Sequence, residues 1–316
     1  MTILSFICYT RRMYDLIIVG GSAAGASAAI YAARRGLQFA VIAKEFGGEV
    51  ALSGDVDNWL GIKHTTGIEL AQSFTDHMKS YNPKLIEDVL VSSIEKRADG
   101  TFAVTTDDST VHEAKAVLVG TGVHSRELGV PGEKEYRLKG VSYCTVCDGP
   151  VFRGKKTVTI GGGNSALESA LMMSDIATQV TVINKNAQFK GEKVLLDNLL
   201  KKTNVDIVYE AMTTEIIGDG AFARGLKYKT KDDVEHEIAM DGAFVHIGQT
   251  PNAQLVPADC EKDAFGYINI GLDGATNLPG LFAAGDVTHT AHKQIIIAAG
   301  QGATAALSAV QYINRL

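Results

Sequence analysis

The stretch YDLIIVGGSAAGASAAIYAARRGLQFAVIAKE, residues 14–45, decides the fold of this 316-residue chain. It passes from an apolar, β-branched segment through a glycine turn and a row of helix formers into a second apolar segment. That order predicts strand, tight turn, helix and strand, a βαβ unit of a parallel sheet that is buried on both faces. The stretch KKTVTIGGGNSALESALMMSDIATQVTVINKN, residues 155–186, repeats the pattern. The repetition predicts two nucleotide-binding folds in one chain.

The first glycine turn has the spacing Gly20-x-Ser22-x-x-Gly25, in which serine replaces the second glycine of the dinucleotide fingerprint. The helix that follows offers free N–H groups and a positive dipole end to phosphates. We therefore predict a nucleotide site, with a plain strand–helix turn as the alternative. Glu45 stands two residues after the usual place of the ribose-binding acid, and is either that acid or a solvated charge.

The second turn, GGGNSA at residues 161–166, matches G-x-G-x-x-A after a predicted strand and before a predicted helix. After the next strand, Asn184 and Asn186 flank Lys185, and Lys190 follows. An acid there would favour NAD, and an arginine cluster would favour a 2′-phosphate, but the sequence has neither. The two lysines are either weak phosphate ligands or ordinary surface residues. The nucleotide-binding residues predicted here are Gly161, Gly163, Asn164, Ser165, Ala166, Lys185 and Lys190.

Composition narrows the function classes. The net charge is −6 without a long basic run, which argues against nucleic acid or an anionic membrane as the main partner. No apolar run reaches the ~18–20 residues of a membrane span. In residues 1–12 the charges follow the apolar centre, so we expect a short extension before a fold that begins near Met13, and not a signal peptide. Four cysteines do not make a disulfide scaffold, so the expected setting is reducing and cytoplasmic.

The motif YCTVCDG, residues 143–149, contains two of those four cysteines. Two intervening residues let the sulfurs reach bonding distance on the first turn of a helix, where the dipole helps to hold a thiolate. We interpret the pair as a redox-active dithiol. The alternatives are a structural disulfide and a zinc site, which needs about four ligands; His289 and His292 have ligand-like spacing but lie far away in sequence. No metal is predicted.

The remaining segments have recognisable periodicity. Apolar residues at helical spacing predict helices over 67–81 and 292–316, and the second has small residues that allow close packing. Strands are predicted at 101–106, 114–122, 225–230, 242–248 and 266–270.

Together these motifs resemble the low-molecular-weight thioredoxin reductase family. The matching stretches occur in family order from residue 14 to nearly residue 313 and are VGGSAAGASAAIYAAR, GGEVALSGDVDNWLGI, VGTG, GVSYCTVCDGPVF, GGGNSALESA, HIGQTPN and LFAAGDVTHTAHKQIIIAAGQGATAALSA. The latter half is also similar to the flavoprotein subunit of alkyl hydroperoxide reductase.

The resemblance implies an α/β fold of two Rossmann-like, three-layer ββα nucleotide-binding domains, the second inserted into the first. Residues 13–122 and 250–316 would form a split FAD-binding domain, and residues 123–249 a pyridine-nucleotide domain that carries the CxxC. The implied FAD-binding residues are Gly20, Ser22, Ala23, Ala24, Gly25, Glu45, Gly48, Glu49, Asn58, Gly122, Gly285, Asp286, Lys293, Gln294 and Ile295. Glu49 departs from the family, which has glutamine there.

The resemblance also implies a reaction. Electrons would pass from a reduced nicotinamide to FAD, then to the Cys144–Cys147 disulfide, and then to a disulfide on thioredoxin or a similar small dithiol protein. Asp148 lies one helical turn after Cys144 and would protonate a leaving thiolate; its alternative role is a helix N-terminal acid. A rotation of the inserted domain, with hinges near 120–122 and 246–251, would let the nicotinamide and the CxxC take turns at the flavin.

The donor and the acceptor stay open. NADPH is the expected donor, but NADH, a reduced deazaflavin or ferredoxin are alternatives because the arginine cluster of the family is missing. A glutaredoxin-type or peroxiredoxin-type acceptor is an alternative to thioredoxin, and a non-catalytic flavin-binding or redox-sensing protein is the alternative from another class. A homodimer is expected from the resemblance alone.

Overall fold

The computed structural model describes residues 13–53 and 55–316. The predicted N-terminal extension, residues 1–12, and Cys8 lie outside the described residues. The chain forms two compact units: unit 1 is made of the residues up to His124 and of Pro251–Leu316, and unit 2 is Ser125–Thr250.

The described residues form the following elements. The helices are α1 Ala23–Arg34, α2 Gly67–Lys79, α3 Thr145–Asp148, α4 Asn164–Ser174, α5 Lys193–Leu199 and α6 Ile295–Ile313, with short 3-10 turns at Gly48–Val50, Gly149–Phe152 and Gly285–Val287. The strands of the first 125 residues are β1 Met13–Gly21, β2 Phe39–Phe46, β3 Asp55–Val56, β4 Thr65–Thr66, β5 Lys84–Ile86, β6 Val91–Lys96, β7 Phe102–Thr106, β8 Val111–Val119 and β9 Val123–Ser125. The later strands are β10 Val141–Ser142, β11 Lys156–Gly161, β12 Gln179–Asn184, β13 Val205–Tyr209, β14 Ala211–Gly218, β15 Ala223–Thr230, β16 Glu235–Ala239, β17 Gly242–His246, β18 Gln249–Pro251 and β19 Leu281–Ala283.

In unit 1 the parallel strands run in the order β5-β2-β1-β8, and β8 has two partners along its other edge. Its first half pairs antiparallel with β7, and its second half pairs parallel with β19. β6 pairs antiparallel with β7 and completes a three-stranded ribbon.

The side chains of β1 alternate between two cores. Leu16 and Ile18 pack with the alanines of α1 and α6, whereas Ile17 and Val19 pack on the face that also holds residues of β6 and β7. All four are at most 3% exposed. This is the two-residue period of a strand buried on both faces, so unit 1 has a helix layer, a parallel sheet and an antiparallel ribbon.

Unit 2 repeats this arrangement. Its parallel sheet has the order β10-β17-β11-β12-β13, and β14-β15-β16 form the antiparallel ribbon. On β11, Val158 and Ile160 pack in the core that contains ribbon residues Ile216 and Leu226. The predicted α/β class with two Rossmann-like domains, the second inserted into the first, is confirmed.

One predicted strand is wrong. Residues 266–270 form no strand, and Ile268 makes only isolated bridges to Lys262 and Thr288. Its backbone is satisfied by single hydrogen bonds, from its N–H to the carbonyl of Val287 and from the N–H of His289 to its own carbonyl. The apolar residues there bury a connection against the core, where Ile268 is fully buried.

Helix α6 is apolar along most of its length. Among the described residues it is the one helix that meets the length and composition criteria for a membrane span, with a mean hydropathy of 1.2, and 28% of that window is buried within the chain. Core helices of globular proteins meet the same criteria. A Cβ added at Gly302 would overlap the carbonyl oxygen of Ala24, so the two helix backbones of α1 and α6 lie in direct contact. We therefore assign α6 to the packing of unit 1, as its small residues predict.

We expect two glycine substitutions in α6 to have opposite effects. Gly302→Ala should lower the free energy of unfolding by roughly 2 kcal/mol, because the new methyl group forces α1 and α6 apart. Gly300→Ala is the matched control: Gly300 is exposed with nothing near its added Cβ, so alanine should stabilise by about 0.5–1 kcal/mol. Chemical denaturation measures both, and equal effects would contradict the close packing of the helices.

Candidate active site

The first glycine turn joins β1 to α1, and backbone crowding requires glycine at two of its positions. Gly20 has a φ of +109°, and a Cβ there would overlap the carbonyl oxygen of Gly120. A Cβ at Gly25 would overlap the carbonyl oxygen of Gly20. The first and third positions of the fingerprint are therefore set by close approach of main chain to main chain.

Ser22, the departure at the second position, is the N-cap residue of α1. Its hydroxyl donates to the carbonyl oxygen of Gly47 at 2.5 Å and makes no side-chain cap within the described part of the chain. The first N–H groups of α1, at Ala23 and Ala24, are thus available to another acceptor. Free amide groups at a helix N-terminus fit the pyrophosphate of a dinucleotide.

Two carboxyl groups predicted to lie at the flavin site interact with one another. Glu49 is an exposed residue, but partial desolvation of its carboxyl group raises its pKa, the negative charge of Asp286 raises it further, and His124 lowers it. Burial also raises the pKa of Asp286, and Lys293 opposes that shift. The protonated form of Glu49 is therefore more strongly favoured in this site than it would be for a carboxyl group in water.

Residues from distant parts of the sequence meet at the start of α6. The ammonium group of Lys293 donates to the carbonyl oxygens of Asp286, at 3.1 Å, and of Thr288, at 2.5 Å. Gln294 is the N-cap residue of α6, and its side-chain oxygen accepts a hydrogen bond from Asn58 at 3.1 Å. Asn58, Asp286 and Gln294, which the family resemblance implies bind FAD, are thus all connected to the segment at the start of α6.

The remaining residues predicted to bind FAD lie on several segments of unit 1. Gly48 has a φ of +50°, and its added Cβ would lie 3.3 Å from that of Ser22. Gly285 has a φ of +77° and donates its N–H to Gln301 at 2.8 Å. Ile295 is the first residue of α6, and Gly122, with a φ of +64°, faces open space. Glu45 is exposed on β2, so both alternatives for it stay open.

The second glycine turn joins β11 to α4. A Cβ at Gly161 would overlap the carbonyl oxygen of His246. Gly163, in contrast, has open space around it; it is the N-cap residue of α4 and, being glycine, supplies no side-chain cap. The side chain of Asn164 exchanges two hydrogen bonds with Glu192, at 3.1 and 2.7 Å. Ser165 and Ala166 continue the first turn of α4. The open, uncapped helix start fits a phosphate group, as at the first turn.

A neutral amide occupies the end of β12, where the ribose-binding acid usually stands. Asn184 is fully buried; its oxygen accepts from the N–H of Asn186 at 3.1 Å, and its side-chain nitrogen has no partner among the described residues. Lys185 and Lys190 are exposed. The N–H of Lys190 donates to the carbonyl oxygen of Gly162 at 2.7 Å, which places this loop beside the glycine turn.

Cys144 and Cys147 form a disulfide, and their Cα atoms lie 5.4 Å apart. Cys144 is the N-cap residue of α3, and its sulfur accepts the N–H of Cys147 at 3.1 Å. Cys147 is exposed, whereas Cys144 is half-buried. Of the two cysteines, Cys147 is therefore the more accessible to solvent.

Asp148 is held by a residue that the sequence analysis missed. The hydroxyl of Ser142, a buried side chain, donates to the Asp148 carboxylate at 2.6 Å, and the same oxygen accepts the N–H of Cys144 at 3.0 Å. One hydroxyl group thus ties the proposed acid to the first cysteine. A serine two residues before a CxxC-Asp motif is the signal that could have identified it.

Glu133 and Tyr143 fix the chain just before the first cysteine. The carboxylate of Glu133 is 1% exposed and accepts hydrogen bonds at 2.7 Å from the Tyr143 hydroxyl and from the N–H groups of Leu128 and Gly129. Burial and this carboxylate raise the pKa of Tyr143 well above its usual range. Sequence periodicity gave no signal for the pair, because the two residues lie on an irregular segment.

The other cysteines and histidines form no competing site in the described ranges. No group of three or more potential metal ligands occurs there, and the Nδ1 atom of His289 accepts the N–H of Ile270 at 3.3 Å. Cys260 is buried in the core of unit 1, and burial raises the pKa of its thiol, which makes it a poor nucleophile.

Comparisons with known proteins agree with this geometry. The family model described as pyridine nucleotide-disulphide oxidoreductase matches residues 14–302. The crystal structure of T. acidophilum thioredoxin reductase is 41% identical, with a TM-score of 0.86 over 96% of this chain and 99% of that one.

Two relatives are longer proteins. The chain is 40% identical over 310 residues to a subunit of alkyl hydroperoxide reductase from Pseudomonas putida, covering 96% of this chain and 59% of that protein. It is 40% identical over 306 residues to a protein named NADH dehydrogenase of Bacillus subtilis, covering 96% of this chain and 60% of that protein. The chain therefore spans about three fifths of the length of these relatives.

The resemblance to low-molecular-weight thioredoxin reductases is confirmed by the solved structure, which matches along nearly its whole length. Both glycine turns and the cysteine pair fall within the segment that the family model covers. The chain belongs to the pyridine nucleotide-disulphide oxidoreductase family.

Proposed function

We propose that this chain is a flavin-dependent disulfide reductase of the thioredoxin reductase type. Its Cys144–Cys147 disulfide would take up an electron pair and pass it to a disulfide on thioredoxin or a similar small dithiol protein. The observation that carries this proposal is the disulfide-bonded CxxC, with Cys147 exposed and Asp148 held by Ser142 beside it, in a chain with two dinucleotide-type turns.

FAD, when bound, would supply the two-electron relay between the donor and the cysteine pair. The amides at the start of α1 would hold its pyrophosphate, and the Asp286–Lys293 segment would hold its ribityl and ring portions. The start of α4 would hold the nicotinamide nucleotide. The domain rotation that the resemblance implies stays a prediction, and so does a homodimer.

The chemistry of the cysteines follows from their exposure. Once the pair is reduced, the Cys147 thiolate attacks one sulfur of the partner disulfide and releases the other as a thiolate, which leaves a mixed disulfide. Cys144 then attacks the Cys147 sulfur, which frees the partner as a dithiol and restores the Cys144–Cys147 bond. One disulfide is made and one is broken, and the electron pair moves to the partner.

Asp148 supplies the proton in this scheme. It lies one helical turn from Cys144, and its carboxyl group is held by Ser142, whose oxygen also contacts the Cys144 backbone. A carboxyl group fixed at that place can protonate a departing thiolate, which makes it a better leaving group.

The donor that we propose is a reduced nicotinamide, with NADPH first. The exposed Lys185 and Lys190 support NADPH weakly, as charges near the ribose position. The neutral, buried Asn184 favours neither nucleotide, and one relative is named NADH dehydrogenase, so NADH is the second candidate. Reduced deazaflavin and ferredoxin are the alternative donors, and glutaredoxin-type and peroxiredoxin-type proteins are the alternative acceptors; each can replace NADPH or thioredoxin in an anaerobic mixing assay.

Anaerobic mixing of the FAD-loaded protein with NADPH, and separately with NADH, tests the function. We expect one nucleotide to bleach the visible flavin band, and added thioredoxin-type disulfide to restore it. Cys147→Ser should still bleach but should not reduce the partner. A flavin that neither nucleotide nor any alternative donor reduces, or a Cys147→Ser variant with normal turnover, would contradict the proposal.

We expect Asp148→Asn to slow reduction of the partner disulfide by about 10²-fold, the usual contribution of a general acid. Ser142→Ala should slow it less, by up to about tenfold, because the carboxyl group remains but is no longer held. Stopped-flow thiol release measures both rates. The flavin spectrum should stay normal in each variant, and unchanged turnover in Asp148→Asn would rule out the acid role.

We expect Glu49→Gln to raise the free energy of unfolding at pH 7. The folded state raises the pKa of Glu49, so an ionised carboxylate costs stability above the pKa of the unfolded chain, near 4.5. The difference between wild type and variant should therefore shrink as the pH falls toward 4.5. A difference between Glu49→Gln and wild type that does not change with pH, measured at equal flavin content, would contradict the raised pKa of Glu49.

A further inference from the structure

A row of buried polar side chains lies beneath the CxxC. The hydroxyl of Thr145, the first residue of α3, lies 2.9 Å from Nε2 of His246 and 2.7 Å from the hydroxyl of Ser169. Thr159 on β11 lies 3.5 Å from the same Ser169 hydroxyl. The row therefore connects the redox helix to α4, to β11 and to the end of β17.

This row is polar where apolar packing would be expected. Thr145, Ser169 and Thr159 are at most 5% exposed. Burying a hydroxyl without a partner costs about 1–3 kcal/mol, but here each group is satisfied by another member of the row. Such a network fixes one arrangement of the elements that carry it, because a shift of any element breaks several bonds.

His246 is fixed in place from a second side. In the sheet register it pairs with Gly161, and its carbonyl oxygen occupies the space that a Cβ at Gly161 would take. Burial lowers the pKa of His246 to about 4, so the imidazole is neutral at pH 7 and acts as a hydrogen-bond partner for Thr145.

Helix α3 needs outside support. It contains only the four residues Thr145–Asp148, and a single isolated turn is unfavourable in water. Of the two residues between the cysteines, Thr145 is buried and Val146 is half-exposed, so Thr145 makes the inward contact of the turn.

We propose that His246, acting through Thr145, is a positioning residue that holds α3 so that the Cys144 and Cys147 sulfurs stay within bonding distance. The inference rests on the proposed redox role of the pair. Fixing two thiols on one turn raises their effective concentration toward each other, which favours the disulfide over two separate thiols. Loosening α3 lowers that effective concentration, and the Cys144–Cys147 bond then becomes easier to reduce.

The test equilibrates the purified, FAD-loaded chain in glutathione redox buffers and counts free Cys144 and Cys147 thiols by alkylation and mass spectrometry. Thr145→Val keeps the shape and removes the hydroxyl group. His246→Leu removes the partner, and His246→Gln keeps a polar group near the position of Nε2. Thr157→Val is the matched control, because Thr157 is a buried threonine of the same unit whose hydroxyl has no partner among the described residues.

We expect Thr145→Val and His246→Leu each to lower the effective concentration about tenfold, equivalent to about 30 mV in the potential of the pair. The double variant should be no worse than either single one, since both remove the same bond. His246→Gln should recover part of the loss, and Thr157→Val should match wild type.

Each outcome decides one point. If Thr145→Val, correctly folded by circular dichroism, has the wild-type equilibrium, the positioning role is wrong, whatever His246→Leu does. The role is also wrong if Thr157→Val shifts the equilibrium as far as Thr145→Val does. If the wild-type pair does not exchange with glutathione at any ratio, the proposed function fails instead.

Discussion

The structure depends on the close approach of two backbone segments at each glycine turn. In unit 1 the turn at Gly20 lies against the carbonyl of Gly120, and in unit 2 the turn at Gly161 lies against the carbonyl of His246. Each contact places the start of a helix at the end of two neighbouring parallel strands. The free amides of that helix then face the same edge of the sheet, where an anionic dinucleotide can be bound.

The redox pair uses the same framework in unit 2. β17 supplies His246, whose carbonyl borders the glycine turn and whose imidazole contacts Thr145 on the redox helix. The end of β17 therefore contacts both the glycine turn and the helix that carries the cysteine pair. A four-residue helix that is too short to be stable alone is held by neighbours on three sides, among them Ser142 and Ser169.

The two glycine sites differ in charge. In unit 1 the exposed Glu49 and the half-buried Asp286 interact electrostatically, and Lys293 and His124 offset their raised pKa values only in part. In unit 2 the end of β12 carries the neutral amide of Asn184. Charge near the first turn therefore bears on how a flavin would be bound, and the neutral residue at the end of β12 bears on which donor is accepted.

The sequence by itself determined the repeated βαβ pattern, the glycine turns and the cysteine pair, because each is a local feature in which periodicity or spacing fixes the geometry. It failed at residues 266–270, whose apolar alternation reflects burial without a pairing strand. Only the tertiary structure revealed Ser142 beside Asp148, Glu133 beside Tyr143, and His246 beneath Thr145. The Thr145 and His246 partners lie 101 residues apart, so no local pattern records them; they meet because the parallel sheet brings β17 next to β10, the strand that precedes the redox helix.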